Sequence, residues 1–237
     1  MGRALQLALP GDRVLLQPGV YTEGDLTVNN SGTSQRPIVV QGMPGARIDA
    51  TGASRGVLIS GRQALLLDGL DISGASDAIE VRNGSADIDV RRCRLHDNSS
   101  RGLYVSGAAP VRLRSSLVDH NGGRGVQVDG GELAMASNTI AGNGLQGLLA
   151  LNSSTVAVTE TRFADNQVSG VLAVQSDVAV SNSVITGGSE GGARFTLGSA
   201  GTLSHVTVTD TADAGIQGVS SVVHVVARTV ERNGRVG

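Results

Sequence analysis

A unit of 22 to 24 residues repeats along most of the chain, and this repeat constrains the fold more than any other feature. A small residue opens each unit, and successive openings are spaced by 22, 24, 23, 22, 23, 22 and 23 residues. A period this short is below that of a propeller blade, and such units bury their apolar residues only by stacking on one another. The repeat therefore predicts a solenoid. The eight opening residues are Gly56, Ala78, Gly102, Gly125, Gly147, Gly170, Gly192 and Gly215.

Each repeat contains three short apolar stretches. In one repeat, Leu103 and Val105 alternate with other residues, Val111 and Leu113 do the same, and Val118 stands as a third apolar point. Alternation with a period of two is typical of β-strands. Three strands in each repeat, stacked in parallel on the repeats before and after, predict an all-β, single-stranded parallel β-helix with a triangular coil.

The repeat also organises the ends and corners of the chain. We expect one domain over residues 1–237, in which residues 1–10 form a cap with a short helix before Pro10-Gly11. Residues 11–55 then form the first coils and residues 56–237 the regular coils. Four asparagines recur at one corner, where their side chains can bond to one another and to the bent backbone. They are Asn98, Asn121, Asn143 and Asn166.

Composition excludes several kinds of function. All 19 basic residues are arginine, so neither a lysine base nor a Schiff-base lysine is available. The net charge of −2 gives no basic footprint for nucleic acid, and no apolar run approaches the roughly 18 residues that a membrane span needs. Cys93 has no partner for a disulfide, and Ser116, Thr161 and Ser183 occupy its place in other repeats. We therefore interpret Cys93 as a small side chain packed in a column.

Two segments near the N-terminus carry a family resemblance. Residues 11–21, GDRVLLQPGVY, and residues 31–42, SGTSQRPIVVQG, are similar to the first coils of chondroitinase B-like lyases and related β-helix repeat proteins. The whole chain resembles the right-handed parallel β-helix superfamily, which includes pectate lyases, polygalacturonases, alginate-type lyases and uronan C5-epimerases. The resemblance implies a right-handed coil, an acidic polysaccharide as partner, and a location outside the cell or in the periplasm.

The resemblance also implies where a site would lie. Enzymes of this superfamily act on the outer surface of one sheet, beside the strand that opens each repeat and the loop before it. β-Elimination or epimerisation of a uronate needs a base for the C5 proton, an acid, and a cation beside the carboxylate. The candidates for these catalytic roles are His96 or His120, Tyr104, and Arg101 or Arg124. The candidates for substrate binding are Glu80, Arg82, Asp97, Asp119, Gln127 and Asp129.

Alternatives remain open for these residues. The two His/Asp pairs, which stacking would place roughly 5 Å apart, can equally be exposed polar turn residues beside the asparagine corner. The chain also departs from the enzyme families: it has no lysine, and it retains only His96-Asp97 of the epimerases' Asp-Pro-His-Asp signature. The first hypothesis is a protein that binds an acidic polysaccharide, as a lyase or epimerase if it is an enzyme. The second is a non-catalytic structural or assembly module.

The sequence also allows expectations about metal sites and about association with a partner. No His, Cys or Asp spacing predicts a metal site or another cofactor, although paired carboxylates leave Ca²⁺ as an alternative. Outward apolar residues on adjacent repeats, and a last repeat without a cap, predict self-association or a covering partner. The outward apolar residues are Leu149, Leu151, Leu172 and Val174.

Overall fold

A computed structural model describes residues 1–226 and 229–234 and shows a parallel β-helix. One helix, α1 (Gly2–Leu7), precedes the strands. The strands in chain order are β1 (Arg13–Leu16), β2 (Gly19–Tyr21), β3 (Leu26–Thr27), β4 (Ile38–Gly42), β5 (Ala46–Asp49), β6 (Arg55–Ser60), β7 (Gln63–Asp68), β8 (Asp71–Ser73), β9 (Asp77–Arg82), β10 (Ala86–Arg91), β11 (Arg94–His96), β12 (Arg101–Ser106), β13 (Val111–Arg114), β14 (Leu117–Asp119), β15 (Val126–Asp129), β16 (Glu132–Ala136), β17 (Thr139–Ala141), β18 (Leu148–Leu151), β19 (Thr155–Thr159), β20 (Arg162–Ala164), β21 (Val171–Val174), β22 (Asp177–Ser181), β23 (Val184–Thr186), β24 (Ala193–Thr196), β25 (Ala200–Ser204), β26 (Thr207–Thr209), β27 (Ile216–Val219), β28 (Val222–Val226) and β29 (Thr229–Glu231).

These strands form three parallel sheets, each of which takes one strand from every coil. Among the described residues, sheet A has ten strands (β1, then every third strand to β28), sheet B has ten (β2 to β29) and sheet C has nine (β3 to β27). Sheet C contains the strands that open the repeats, so the predicted three strands per coil are confirmed. Consecutive coils lie in register, as Leu103 beside Val126 shows.

The core fills the inside of the coil. Leu103 and Val105 from sheet C, Val111 and Leu113 from sheet A, and Val118 from sheet B all have 0% exposure. Full burial of one such side chain contributes about 1.5–3 kcal/mol. The inward register predicted from the alternation is confirmed. The residues that alternate with these buried side chains along each strand point to the outside of the coil.

Hydrogen-bonded side chains line the corner between sheets B and C. The Nδ2 of Asn98 donates to the Oδ1 of Asn121 at 2.9 Å, Asn121 donates to Asn143 at 3.0 Å, and Asn143 donates to Asn166 at 2.9 Å. The predicted asparagine ladder is therefore present. Because this ladder fixes the corner, the loops that lead into sheet C start from equivalent points on four successive coils.

A second column fills the corner between sheets A and B. The backbone N–H of Cys93 donates to Ser116 Oγ at 3.1 Å, and Thr161 donates to Ser183 Oγ at 3.0 Å in the same way. Asn138 continues the column between them, accepting from the N–H of Ser116 at 3.0 Å. Burial raises the pKa of the Cys93 thiol to about 12. Cys93 is thus a packed residue of this column, as the repeat alignment predicts.

The two ends of the solenoid differ. Helix α1 covers the first coil with Leu5 fully buried, which confirms the predicted helical cap although the helix ends at Leu7. In the last described coil, Val225 and Val230 lie in register with the buried residues Leu203 and Val208. They are nonetheless exposed, and Val222 is 77% exposed. Residues 227–228 and 235–237 of the predicted last repeat lie outside the described residues.

Candidate functional site

The outer face of sheet C carries a row of polar side chains. Tyr104 lies in register with Glu80 on one side and Gln127 on the other. Arg82 and Asp129 form a parallel row with Ser106 between them. Side chains in such rows stand about 4.8 Å apart along the solenoid axis. The structure therefore brings five of the sequence-predicted residues together on one face: Glu80, Arg82, Tyr104, Gln127 and Asp129.

Arg101 reaches onto this face from the start of β12. Its Nε and Nη2 donate to the two carboxylate oxygens of Asp77, both at 2.8 Å. The guanidinium also lies over the ring of Tyr104, 3.8 Å from the centroid, in the geometry of a cation–π contact. Its Nη1 donates to Gln127 Oε1 at 3.4 Å. Three partners thus hold Arg101 in one orientation.

Arg124 is held on this face by two glutamine side chains. Its Nε donates to Gln146 Oε1 at 3.1 Å and its Nη1 to Gln127 Oε1 at 3.4 Å. Among the residues the structure describes, no carboxylate forms an ion pair with it. Burial and the nearby positive charge of Arg101 lower the pKa of Arg124. An anion placed here would relieve that repulsion, so we define Arg101 and Arg124 as the arginine pair.

The acidic residues Glu80 and Asp129 of the face have different partners, arginines for Glu80 and an amide for Asp129. Glu80 is buried, and its carboxylate pairs with Arg55 and, at 3.1 Å, with Arg82 Nη1. Asp129 accepts a hydrogen bond from Asn152 Nδ2 at 2.7 Å. Sequence reasoning missed Arg55 and Gln146. The signal for both was their place directly before an opening residue of the repeat, the place that Arg101 and Arg124 also hold.

His96 lies in a separate cluster, at the C-terminal end of strand β11 in sheet B. Its side chain is buried, with Nδ1 at 2.5 Å from Asp97 Oδ2 and Nε2 at 2.8 Å from Asp71 Oδ1. Both ring nitrogens are engaged, so neither is free for a substrate. The expectation that His96 is an exposed turn residue is wrong, because its side chain folds down between these two carboxylates.

Asp119 and His120 form the second half of the same cluster. Asp119 is buried and accepts from Arg94 Nη2 at 2.9 Å, while His120 Nδ1 lies 2.8 Å from Asp119 Oδ2. Burial raises the pKa of Asp119, but the hydrogen bonds from Arg94 and His120 outweigh it and bring the pKa below its ordinary value. The His120 side chain is 66% exposed. A histidine oriented by a buried carboxylate can transfer protons through its other nitrogen.

The predicted constellation is therefore divided between two networks. His96, Asp97, Asp119 and His120 stack across two coils, with His96 in register with Asp119. Within residues 1–226 and 229–234, no hydrogen bond or ion pair joins them to the arginine pair or Tyr104. Sequence reasoning placed all of them near the loops into sheet C. It missed Asp71 and Arg94, which complete the second network.

The outward apolar residues lie on the next coils of sheet C. Leu149 stands beside Gln127 in register, Leu172 beside Leu149, and Leu151 beside Asp129. Leu149 is only 4% exposed and the other three, including Val174, are half-buried. The patch is therefore less exposed than the sequence suggests. Self-association through it stays a prediction.

In the part of the chain that the structure describes, no group of three or more His, Cys, Asp or Glu side chains is arranged to hold a metal ion. Nor does any helix within it have the length and apolar character needed to cross a membrane. The expectations about metals, Ca²⁺ included, stay predictions.

Comparisons with known proteins place the fold in a family. The family model described as right handed beta helix region matches residues 46–146 and 130–237. The chain belongs to this family. The right-handed coil expected from the resemblance is confirmed, and no curated protein matches the sequence significantly.

Three solved structures of similar fold are longer than this chain and distant from it in sequence. The pectate lyase Pel9A matches with a TM-score of 0.67 and 17% identity over 99% of this chain and 75% of its own. The periplasmic alginate epimerase AlgG matches with a TM-score of 0.72 and 10% identity over 92% and 61%. The PL6 family alginate lyase AlyGC matches with a TM-score of 0.70 and 14% identity over 91% and 38%. At these identities the likeness shows the fold alone.

Proposed function

We propose that this β-helix protein binds an acidic, uronate-containing polysaccharide along the outer face of sheet C. The observation that carries the proposal is Arg124, a partly buried cation beside Arg101 with which no carboxylate of the described residues forms an ion pair. Burying a charge without a counter-ion is costly, so a site of this kind is completed by an anion from outside. A guanidinium binds a carboxylate through two parallel hydrogen bonds, which suits a uronate group.

The surroundings of the arginine pair fit a sugar polymer. Tyr104 presents an aromatic ring of fixed orientation beside the cations, a surface on which the C–H face of a sugar ring can pack. Gln127, which accepts from both arginines, keeps them at one spacing. Glu80 and Arg82 lie one coil before Tyr104, and Gln127 and Asp129 lie one coil after it. An extended polymer with repeated carboxylates and hydroxyls matches such a row better than a single small ligand does.

The structural neighbours support the same substrate class. A pectate lyase, an alginate epimerase and an alginate lyase are named for uronate polymers, and AlgG is periplasmic. We extend this class to the present protein as part of the proposal. Its location would then be outside the cell or in the periplasm, where such polymers occur.

A catalytic form of the proposal uses the same face. Removal of the C5 proton places negative charge on the uronate carboxylate, which the arginine pair would stabilise. In elimination, the C5–H electrons form a C4–C5 double bond while the C4–O bond breaks and its oxygen takes a proton. In epimerisation, a proton returns to C5 from the opposite side. Tyr104 on this face and His120 in the separate cluster are the candidate proton-transfer groups, whereas both ring nitrogens of His96 are already engaged by Asp97 and Asp71.

Binding is tested by titrating wild type with polygalacturonate and alginate at low and high salt. Loss of one charged hydrogen-bonding partner costs about 1.5–3 kcal/mol, so Arg124→Gln should weaken binding at low salt about tenfold or more. Arg162→Gln is the matched control, because Arg162 is exposed on sheet B. Affinity should fall with added salt. Equal affinity of all three proteins, or equal binding of a neutral polymer, would contradict the proposal.

Catalysis is tested separately on the polymers that bind. A lyase produces new ultraviolet absorbance from the unsaturated sugar, and an epimerase introduces solvent deuterium at C5. Tyr104→Phe and His120→Ala should abolish the product while Arg162→Gln retains it. Binding without either product would leave a non-catalytic binding module, and absence of binding would favour the structural or assembly module.

A further inference from the structure

Four aliphatic side chains adjoin the arginine pair on the outer face of sheet C. We call Leu149, Leu151, Leu172 and Val174 the aliphatic block. Leu149 follows Gln127 and Leu151 follows Asp129 in register, so the block begins one coil beyond the proposed carboxylate site. None of the four belongs to the apolar core inside the coil. They form a separate apolar area that faces outward.

Polar residues bound the block on its other side. Leu172 lies in register with Arg194 and Val174 with Thr196. Arg194 forms an ion pair with Glu190 at 2.7 Å. The block is therefore two coils wide, about 10 Å along the axis. This length is comparable to about two sugar units of a polymer that follows the row from Tyr104 onward.

We propose that the aliphatic block receives methyl-bearing substituents of the bound polysaccharide, either O-acetyl groups or the C6 methyl groups of deoxy sugars. This inference rests on the proposed function, because the same polymer must be anchored at the arginine pair. An unsubstituted uronate would press hydroxyls against aliphatic side chains that offer no hydrogen bond. A methyl group in the same place is removed from water with a gain in affinity. The block would thus make the protein select a substituted polyuronate.

The alternative occupant is a second copy of the chain. A stable protein interface buries about 800 Å² on each partner. The block offers four side chains, of which Leu149 is almost fully buried already and the others are half-buried. The polar residues on both sides interrupt it along the axis. A polymer that alternates charged and apolar groups matches this sequence of surfaces more closely than a self-complementary protein face does.

The test compares an O-acetylated alginate with the same alginate after deacetylation. Each methyl group buried is worth roughly fourfold in affinity, so wild type should bind the acetylated form at least about fourfold more tightly. Leu172→Asn should abolish this preference and keep the affinity for deacetylated alginate. Leu66→Asn is the matched control, a half-buried outward leucine on sheet A, and should retain the preference. Arg124→Gln should weaken both forms equally.

A second pair of polymers separates the two sources of the methyl group. Polygalacturonate is compared with a polymer of alternating rhamnose and galacturonate. If wild type prefers the rhamnose-containing polymer and Leu172→Asn loses this preference, the aliphatic block is assigned to deoxy sugars. Equal wild-type affinities in both pairs would overturn the inference and leave the proposed function standing. Failure to bind any of the four polymers would remove both. A concentration-dependent dimer in ultracentrifugation that Leu172→Asn converts to monomer would assign the block to a second copy and overturn the inference.

Discussion

Replacement of Asn121 by alanine tests the corner that positions the loops into sheet C. Asn121 is 1% exposed. Its Nδ2 donates to Leu95 O at 3.1 Å and to Asn143 Oδ1 at 3.0 Å. Its Oδ1 accepts from the backbone N–H of Asn98 at 3.2 Å and from Asn98 Nδ2 at 2.9 Å. Alanine removes all four bonds and leaves the Asn98 N–H buried without this acceptor.

The expected cost follows from these contacts. An orphaned buried donor or acceptor costs about 1–3 kcal/mol, and the Asn98 N–H and the Leu95 carbonyl both lose a partner. We expect a loss of about 3 kcal/mol in the free energy of unfolding. For a domain of this size 1 kcal/mol corresponds to about 2–4 °C, so the melting temperature should fall by about 6–12 °C.

Urea and thermal unfolding followed by circular dichroism measure this loss. Gln167→Ala is the control, because Gln167 is exposed at the same corner two coils further along. Surface changes of that kind stay within about 0.5 kcal/mol. If Asn121→Ala is no less stable than Gln167→Ala, the ladder does not hold the corner and the reasoning fails.

Three further predictions concern the core, the thiol and the acid limit of stability. Val128→Asp places an unpaired carboxylate in the apolar interior, costs several kcal/mol, and should abolish the cooperative β-sheet signal in circular dichroism. Cys93, with its pKa raised to about 12, should resist a disulfide reagent at pH 8 in the native protein and react fully in urea. Because the folded-state pKa of Asp119 is lowered, its carboxylate stabilises the fold above about pH 4, and this contribution is lost as the pH falls through the folded pKa. Asp119→Asn should therefore lose less stability than wild type between about pH 5 and pH 2 in urea titrations. If both proteins lose the same free energy of unfolding over this range, the hydrogen bond from Arg94 does not stabilise the fold through the Asp119 carboxylate.

The sequence predicted the fold well because one short period carries the whole architecture. The alternation at Leu103 and Val105, and its recurrence at Val126 and Val128, leaves only one inward face for each strand. The asparagine corner followed for the same reason, since equivalent positions of successive repeats must stack. The repeat itself determines which residues of successive coils lie side by side along the axis.

The site was less predictable because each polar side chain has several possible hydrogen-bonding partners on the neighbouring coils. Equivalence between repeats placed His96 opposite Asp119. It did not show that His96 would be buried between Asp71 and Asp97, which depends on the direction of the side chain beyond the strand. Arg124 was recognised as a candidate. That it lacks a carboxylate became visible only from the distances around it.

The measurement that tests the central claim most directly is a crystal structure of the protein with a uronate oligosaccharide. We predict a sugar chain on the outer face of sheet C, with a carboxylate oxygen about 2.8 Å from the guanidinium of Arg124. A neighbouring sugar unit should lie beside Tyr104. An oligosaccharide bound on sheet A or at the His120 cluster, with Arg124 left uncontacted, would contradict the account.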